Sequence, residues 1–392
     1  ERFVRDNFEK FADCCFKSNW RQLLREMQTN KIAIDRRDIS VWSANMTPQK
    51  NERYLRAGVA KLENARYDQL SLILKGRKKP SERHNKPTES QTVLFLPPHE
   101  GASALAYFKE VALRMESLWN EQIISGDMKS DDDIADRINA INPHRQQSFE
   151  YSLQCDISQY DKSENIGARY IERVLYEAVG ADSGFLDYWF AMNHQVTARA
   201  LGRYMKIILA EQRRSGHPTT LLGNSVVNIF SEVALAKLKR EDFHYIWFQG
   251  DDIEIAMKRE LDFETVSQRK AIIYNLAEKR LIMMDAKYNC SRFLIWLDGR
   301  YIVVYDPIKF YLKLLRPLTI FDKSTLRETY ESYRSLTHWY SDVRVRNALL
   351  KGCCEQYRIK PSDVNMALLS SISAMSSFDR FSSTWSDESI MR

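Results

Sequence analysis

Apolar positions recur near helical spacing through most of residues 1 to 70. They do so again from Ala102 to about Ile124, where Leu105, Phe108, Val111, Leu113, Met115 and Leu118 would share a face and Gly126 would end the helix. Between these stretches, Thr92-Val93-Leu94-Phe95-Leu96 reads as a short strand stopped by Pro97-Pro98. Tyr151 to Ile157 alternates as a strand, and helical spacing returns from Asn165 to Val179, which puts Asp156 at a strand's carboxyl end. Trp247 to Met257 alternates on both sides of Gly250-Asp251-Asp252, the pattern of two strands joined by a tight turn. Residues 315 to 360 are helical in pattern, with Thr325-x-x-Glu328 as a capping candidate. The serine-rich tail that follows is compatible with a helix, a packed loop or a mobile segment. No internal repeat or heptad array is present.

A chain of 392 residues can bury the core of two or three subdomains wrapped around one another, and 44% hydrophobic with 28% charged residues argues against disorder over most of it. No apolar run approaches the roughly 20 residues of a spanning helix, and Glu1 to Arg5 is unlike a secretory signal, so the expectation is a soluble intracellular protein. A start at Glu1 rather than methionine points to a boundary inside a longer polypeptide. Six cysteines without a C-x-x-C spacing give neither a zinc site nor a disulfide framework. The net charge of +6 permits nucleic-acid binding, and its distribution says more: Lys75, Arg77, Lys78, Lys79, Arg83 and Lys86 cluster with Glu82 as the one acid among them. The acids from Asp127 to Asp136 have a simpler reading, because Ser130 and Asp133 stand at capping-box spacing and the others suit a helix N-terminus.

Three elements carry chemistry. Asp156-Ile-Ser-Gln-Tyr-Asp161 is a D-x4-D pattern at a strand end. Ser215-Gly216-x3-Thr220-x3-Asn224 leads a flexible pair into an apolar helix through Val226, Ile229, Phe230 and Val233, with Thr220 and Asn224 on one face. Gly250-Asp251-Asp252 is the hairpin turn. Singly, each has a plain structural account, since aspartates cap helices and Gly-Asp pairs make turns. Jointly, the S-G-x3-T-x3-N and G-D-D patterns have a chance expectation of roughly a few in ten thousand at average composition. Asp156 and Asp251 can converge only if their strands pair in one sheet. Such a pair could hold two Mg²⁺ ions about 4 Å apart, the arrangement nucleotidyl transfer needs.

These residues resemble the palm motifs of the RNA-dependent RNA polymerases of positive-strand viruses, specifically the alphavirus-like group and its tobamovirus and bromovirus branch. Asp156 to Ser163 resembles the first motif, Arg214 to Asn224 the second and Gly250 to Asp252 the third. Met284-Asp285-Ala286-Lys287 resembles the lysine-bearing motif, and Cys290-Ser291-Arg292-Phe293 the segment that grips the primer. Leu74 to Pro80 followed by Glu89 to Thr92 resembles the basic fingers motif. The likeness covers roughly residues 70 to 320. Asp285 stands where the family has glutamate, and Arg292 where it has glycine.

The resemblance implies an α+β right hand: fingers, a palm built on a small antiparallel sheet flanked by helices, and a helical thumb. Its boundaries would be 1–150 fingers with the basic motif at 74–92, 151–163 palm strand and turn, 164–214 fingers insertion, 215–310 palm, and 311–392 thumb and tail. It implies metal ligation by Asp156 and Asp251 with Asp252 alongside, two Mg²⁺ ions, and Mn²⁺ as a substitute. Asp161 and Asn224 would sense the ribose 2′-hydroxyl, supported by Ser215 and Thr220. Lys287 would act as general acid toward pyrophosphate, and Arg77, Lys78 and Lys79 would approach the triphosphate. Gly216, Cys290, Arg292 and Lys75 would contact RNA. The implied partners are template, primer or nascent RNA, ribonucleoside triphosphates, and replicase methyltransferase and helicase domains. Membrane association would be indirect only, within a replication complex in the host cytoplasm. A reverse transcriptase would carry an aromatic residue at the position of Asp161, and a non-catalytic scaffold would have lost a metal carboxylate; neither pattern is seen.

Overall fold

The computed structural model describes residues 1–44, 48–57, 62, 65–74, 92–127, 129–141, 151–157, 160–200, 206–210, 213–214, 216–258, 268, 278–283, 287–315 and 323–386. Its first half runs α1 (Arg2–Cys15), α2 (Trp20–Thr29), α3 (Arg36–Ser43), α4 (Pro48–Ala57), β1 (Gln69–Leu74), β2 (Thr92–Phe95), α5 (Pro98–Leu118), β3 (Ile123–Ser125), α6 (Asp131–Ile141) and β4 (Tyr151–Ile157). Then follow α7 (Tyr160–Ser163), α8 (Ile166–Ala178), α9 (Ser183–His194), β5 (Gln195–Ala200), β6 (Lys206–Ala210), α10 (Thr220–Phe230), β7 (Phe243–Gln249), β8 (Asp252–Met257), β9 (Glu278–Met283), β10 (Lys287–Asn289), β11 (Arg292–Leu297) and β12 (Arg300–Tyr305). Helices Pro307–Leu314, Lys323–Thr337, Val343–Tyr357, Pro361–Met375 and Phe378–Ser386 close the described chain.

Local chemistry sets several of these boundaries. Asp35 caps α3 through the amides of Arg37 and Asp38, and the Asp38 carboxylate returns to the Asp35 amide at 2.7 Å. Ser130 and Asp133 form the expected box at the start of α6, with the Asp133 amide 3.1 Å from Ser130 Oγ. The helix expected from Ala102 to Ile124 stops at Leu118 instead. Trp119 turns extended (ψ 134°), and the Asn120 side chain bonds both the Cys14 carbonyl and the Gln122 amide at 2.9 Å. Ile123 and Ile124 then pair in parallel with β7 and are fully buried. A strand covered on both faces shows a continuous apolar run, which helical spacing absorbs.

Two sheets matter for the site. The larger has the order β3-β7-β8-β4-β9, antiparallel except where β3 joins β7. The smaller is the antiparallel meander β10-β11-β12. Period-2 alternation gives the meander two buried faces. Leu294, Tyr301 and Val303 pack with Tyr245, Trp247 and Ala256 of the larger sheet and with α6. Phe293, Ile295, Ile302 and Val304 face the C-terminal helices. The main core joins α1, α5, α8, α9 and α10 to the other face of the larger sheet.

The tail resolves into a packed helix: Phe381 is fully buried, with its ring centroid 5.4 Å from that of Tyr330. Thr325 lies within the helix Lys323–Thr337. Among the described residues no helix is long and apolar enough to cross a membrane. Cys14, Cys15, Cys290, Cys353 and Cys354 are free thiols.

Candidate active site

Strands β7 and β8 pair from Phe243↔Met257 to Gln249↔Asp252, leaving Gly250 and Asp251 as the connection, with Gly250 at φ +64°. Gly at the first position of a two-residue hairpin loop matches the strand twist without strain. Helix α10 braces this turn from behind. Ser225 Oγ accepts the Gly250 amide at 2.8 Å, and Asn228 Nδ2 donates to the carbonyls of Asp251 (2.9 Å) and Gly250 (3.4 Å). Sequence reading missed Ser225 and Asn228. Their signal was present: two polar residues three apart inside an apolar helix must find polar partners if buried.

Replacing Asn228 by Ala removes the donor for two turn carbonyls. It is expected to lower turnover by about 10- to 100-fold, because small misplacements at a reacting centre are costly. Steady-state nucleotide incorporation beside thermal melting checks this; turnover equal to the parent chain's would show that the turn needs no brace.

The strands bearing the carboxylates do pair. Cys155 of β4 stands opposite Ile253 of β8, so the Asp156 backbone comes level with Asp252, and on its other side Asp156 pairs with Lys279 of β9. The Asp156 side chain lies outside the described residues, and among those described no three His, Cys, Asp or Glu side chains gather at metal-ligand distance. Asp251 and Asp252 are exposed at the hairpin tip. Their charge is felt nearby: burial first, then Asp252, Asp127 and Asp251, push the Cys290 thiol well up. Asp127, read from sequence only as part of a helix start, has its carboxyl pushed up to about 6 by burial and by Glu116, and accepts from Ser225 Oγ at 3.5 Å. The turn is thus a field of hard oxygen donors carrying net negative charge, which suits a divalent cation such as Mg²⁺.

Asp161 and Asn224 meet. Asn224 Nδ2 donates to Asp161 Oδ1 at 3.0 Å, while Tyr160 Oη holds the Asn224 carbonyl at 3.2 Å. Asn224 is buried, and its Oδ1 has no hydrogen-bond partner. Thr220, expected to face a ligand, donates instead to the Arg214 carbonyl at 2.6 Å and closes the loop before α10. In that loop Gly216 takes φ +90°, and a Cβ there would stand 2.7 Å from the Leu94 carbonyl oxygen of β2. The glycine is therefore required by a backbone crossing. Ser215, Lys75, Arg77, Lys78 and Lys79 lie outside the described residues.

Arg213 locks the D-x4-D turn from below. Its amide donates to the Asp161 carbonyl at 2.8 Å, and its guanidinium bonds Glu172 twice (2.7 and 3.0 Å) and stands 2.9 Å from Glu164. All three side chains are buried. Burial pushes the Glu164 carboxyl up to about 7, against the pull of Arg213.

Lys287, expected over a triphosphate, begins β10 and is only 2% exposed. Its ammonium sits 5.5 Å from the Tyr301 ring centroid, and its charge reaches Glu254 and His244 in the layer between the sheets. Burial raises the Glu254 carboxyl to about 7, and Ser152 Oγ donates to it at 2.5 Å. The structure thus places this lysine under β8 and does not bring it to the turn.

The Cys290-Ser291 turn does reach the hairpin: Asn289 Nδ2 donates to the Trp247 carbonyl at 2.9 Å, and both turn residues have positive φ, 51° and 64°. Arg292 is engaged within the chain. Its guanidinium is taken by Asp131 of α6 (2.5 Å) and by the Cys290 carbonyl (3.0 Å). Behind the turn, Asp306 is fully buried; its Oδ1 caps the next helix at the Ile308 and Lys309 amides, and its Oδ2 accepts from Tyr288 (3.0 Å) and Tyr357. The Asp306 amide donates to the Ser291 carbonyl at 2.9 Å.

The sequence model of the family described as RNA dependent RNA polymerase matches residues 1–384. The chain is 27% identical over 295 residues to the RNA-directed RNA polymerase of Barley stripe mosaic virus, covering 74% of this chain and 37% of that protein. It is 31% identical over 162 residues to the replicase large subunit of Pepper mild mottle virus, 41% of this chain and 10% of the relative. It is 27% identical over 208 residues to the replicase polyprotein 1ab of Grapevine leafroll-associated virus 3, 53% of this chain and 7% of that protein. The chain therefore spans well under half the length of these relatives. The crystal structure of the RNA-dependent RNA polymerase of a human picorbirnavirus shares the fold, with a TM-score of 0.53 at 12% identity over 78% of this chain and 64% of that one.

Proposed function

Because this chain belongs to the RNA dependent RNA polymerase family, we propose that it carries out template-directed synthesis of RNA from ribonucleoside triphosphates. The single observation that carries the reading is the 3.0 Å contact of Asn224 with Asp161, on the same helix that braces the Gly250-Asp251 turn. Asn224 Oδ1, buried and without a partner, supplies an acceptor that a ribose 2′-hydroxyl would satisfy and a deoxyribose would leave bare.

Asp156, Asp251 and Asp252 would hold two divalent ions, Mg²⁺ or Mn²⁺ in its place. Bound there, the metal supplies Lewis acidity at the attacking 3′-hydroxyl and neutralises triphosphate charge. The chain's own residues do the positioning. Ser225 and Asn228 fix the turn, Arg213 fixes the Asp161 backbone, and the Cys290-Ser291 turn meets the hairpin where a primer end would lie. In this reading Lys287 braces β8 from below through Glu254 and Tyr301. The basic segment with Lys75, Arg77, Lys78 and Lys79 supplies phosphate contacts, the larger sheet is the palm, the residues before it are the fingers and the C-terminal helices are the thumb. Methyltransferase and helicase domains of a viral replicase, in a cytoplasmic replication complex, are its proposed partners.

Primer extension with ribonucleotides against deoxynucleotides tests the proposal. The parent chain is expected to prefer ribonucleotides, and Asn224→Ala to erode that preference by about tenfold, the scale set by one buried hydrogen bond left unmade. Equal use of deoxynucleotides by the parent chain would favour a reverse transcriptase instead. An unchanged ratio in Asn224→Ala would reject the ribose assignment.

A further inference from the structure

Between α8, α9 and the loop Arg213–Thr219 lies a cavity of about 30 Å³, space for about two waters or one phosphate group. Two buried side chains line it with polar atoms that have no hydrogen-bond partner: Arg214, 4% exposed, at Nε, and His217, 7% exposed, at Nε2. Arg214 directs its other nitrogens at Asn193, with Nη2 2.9 Å from the carbonyl and Nη1 3.4 Å from Oδ1. Among the described residues no carboxylate pairs with it, and burial together with Arg169 and Arg213 pushes the guanidinium down to about 9. The His217 ring stacks on Trp189 with centroids 4.6 Å apart, and its Nδ1 lies 3.2 Å from Thr219 Oγ1.

The hydrogen-bond chain is compatible with one tautomer in particular. Arg213 Nη1 donates to Thr219 Oγ1 at 3.4 Å, and when that hydroxyl donates in turn to His217 Nδ1 the ring's own proton stands on Nε2. Burial and the three arginines keep the imidazole neutral. Around the cavity, Arg169, Arg213 and Arg214 face Glu164 and Glu172, an excess of one positive charge. A cation would meet guanidiniums there, and an apolar guest would leave the buried Arg214 N–H bare. An oxyanion answers both donors and the charge.

We propose that this cavity binds a single phosphate group, held by Arg214 Nε and His217 Nε2. The group comes either from the backbone of an RNA strand or from free inorganic phosphate, and it sits behind the loop whose far end carries Thr220 and Asn224. Phosphate binding here stands whether or not the chain polymerises RNA.

Calorimetry and thermal melting of the full chain in chloride buffer, titrated with inorganic phosphate or with a short RNA oligonucleotide, test this. One phosphate is expected to bind and to raise the melting temperature. His217→Phe, which keeps a ring on Trp189 but lacks the donor, and Arg214→Gln should each weaken binding about tenfold. Melting of the two variants without phosphate shows whether each is folded, and one folded variant is enough to decide. If the strand is the source, phosphate and oligonucleotide compete and His217→Phe weakens both. If free phosphate is the source, oligonucleotide binding ignores phosphate and the variant. Phosphate affinity unchanged in a folded variant, or no phosphate effect up to roughly tens of millimolar, overturns the site.

Discussion

Substituting Asn for Asp251 is expected to lower nucleotide incorporation at least about a thousandfold, the scale of losing a group that stabilises transition-state charge. Melting should shift by no more than a degree or two. The split follows from placement. Asp251 is exposed at the hairpin tip, and the brace on its turn is made by backbone: Asn228 bonds the residue's carbonyl, and Ser225 bonds the amide of Gly250. Neutralising the carboxylate therefore leaves that brace in place. Single-turnover incorporation with Mg²⁺ and with Mn²⁺, beside a melting curve, reads both halves. Near-parental incorporation would remove Asp251 from the metal-binding set and with it the proposed mechanism.

Arg213→Leu should do the opposite and damage the fold directly. It would leave Glu164 and Glu172 buried without their shared counter-charge, a loss on the order of 3–5 kcal/mol. The melting temperature should fall by several degrees or more, and Glu164→Gln with Glu172→Gln added should recover much of it. Acid should help the single variant. Burial already holds the Glu164 carboxyl up at about 7 in the fold, above the 4.5 of an ordinary glutamate. The folded form thus binds the extra proton, so this group's contribution is fully present below 4.5 and is lost as pH rises through about 7. Removing Arg213 takes away the charge that pulls the Glu164 carboxyl down and steepens that dependence. A variant that melts with the parent chain at every pH would show that the buried ion pairs are dispensable.

Much of this site was readable from residue types and spacing. The hairpin follows from alternation and turn chemistry, the pairing of the Asp156 strand with it was the condition for the carboxylates to converge, and the joint role of Asp161 and Asn224 was what the family resemblance implied. Other parts depend on tertiary partners that no local pattern encodes. Ile123 and Ile124 continue the apolar spacing of α5, and only their pairing with β7 makes them a strand. Asn228 looks like any helical asparagine until the turn carbonyls arrive. Thr220 shares a face with Asn224 as expected, yet the carbonyl six residues back claims its hydroxyl. Lys287 carries a charge that sequence reading places in solvent or at phosphate, and the two-sheet packing buries it beside Glu254 and Tyr301. The tail helix was undecided because its apolar face is narrow; Phe381 packs on Tyr330 and Tyr333, partners that no local pattern supplies.

The buried carboxylate of Asp306 joins three elements at one point: Tyr288 of β10, Tyr357 near the end of the helix Val343–Tyr357, and the amides that start the helix Pro307–Leu314. Its own amide holds the Ser291 carbonyl. Such a joint has the layout of a bell-crank. A rotation of the C-terminal helices about the meander, as when a duplex widens the space before them, would be handed to the Cys290-Ser291 turn as displacement. That turn would travel with the helices, so the opening that admits a product and the register of the strand end at the hairpin would be one motion.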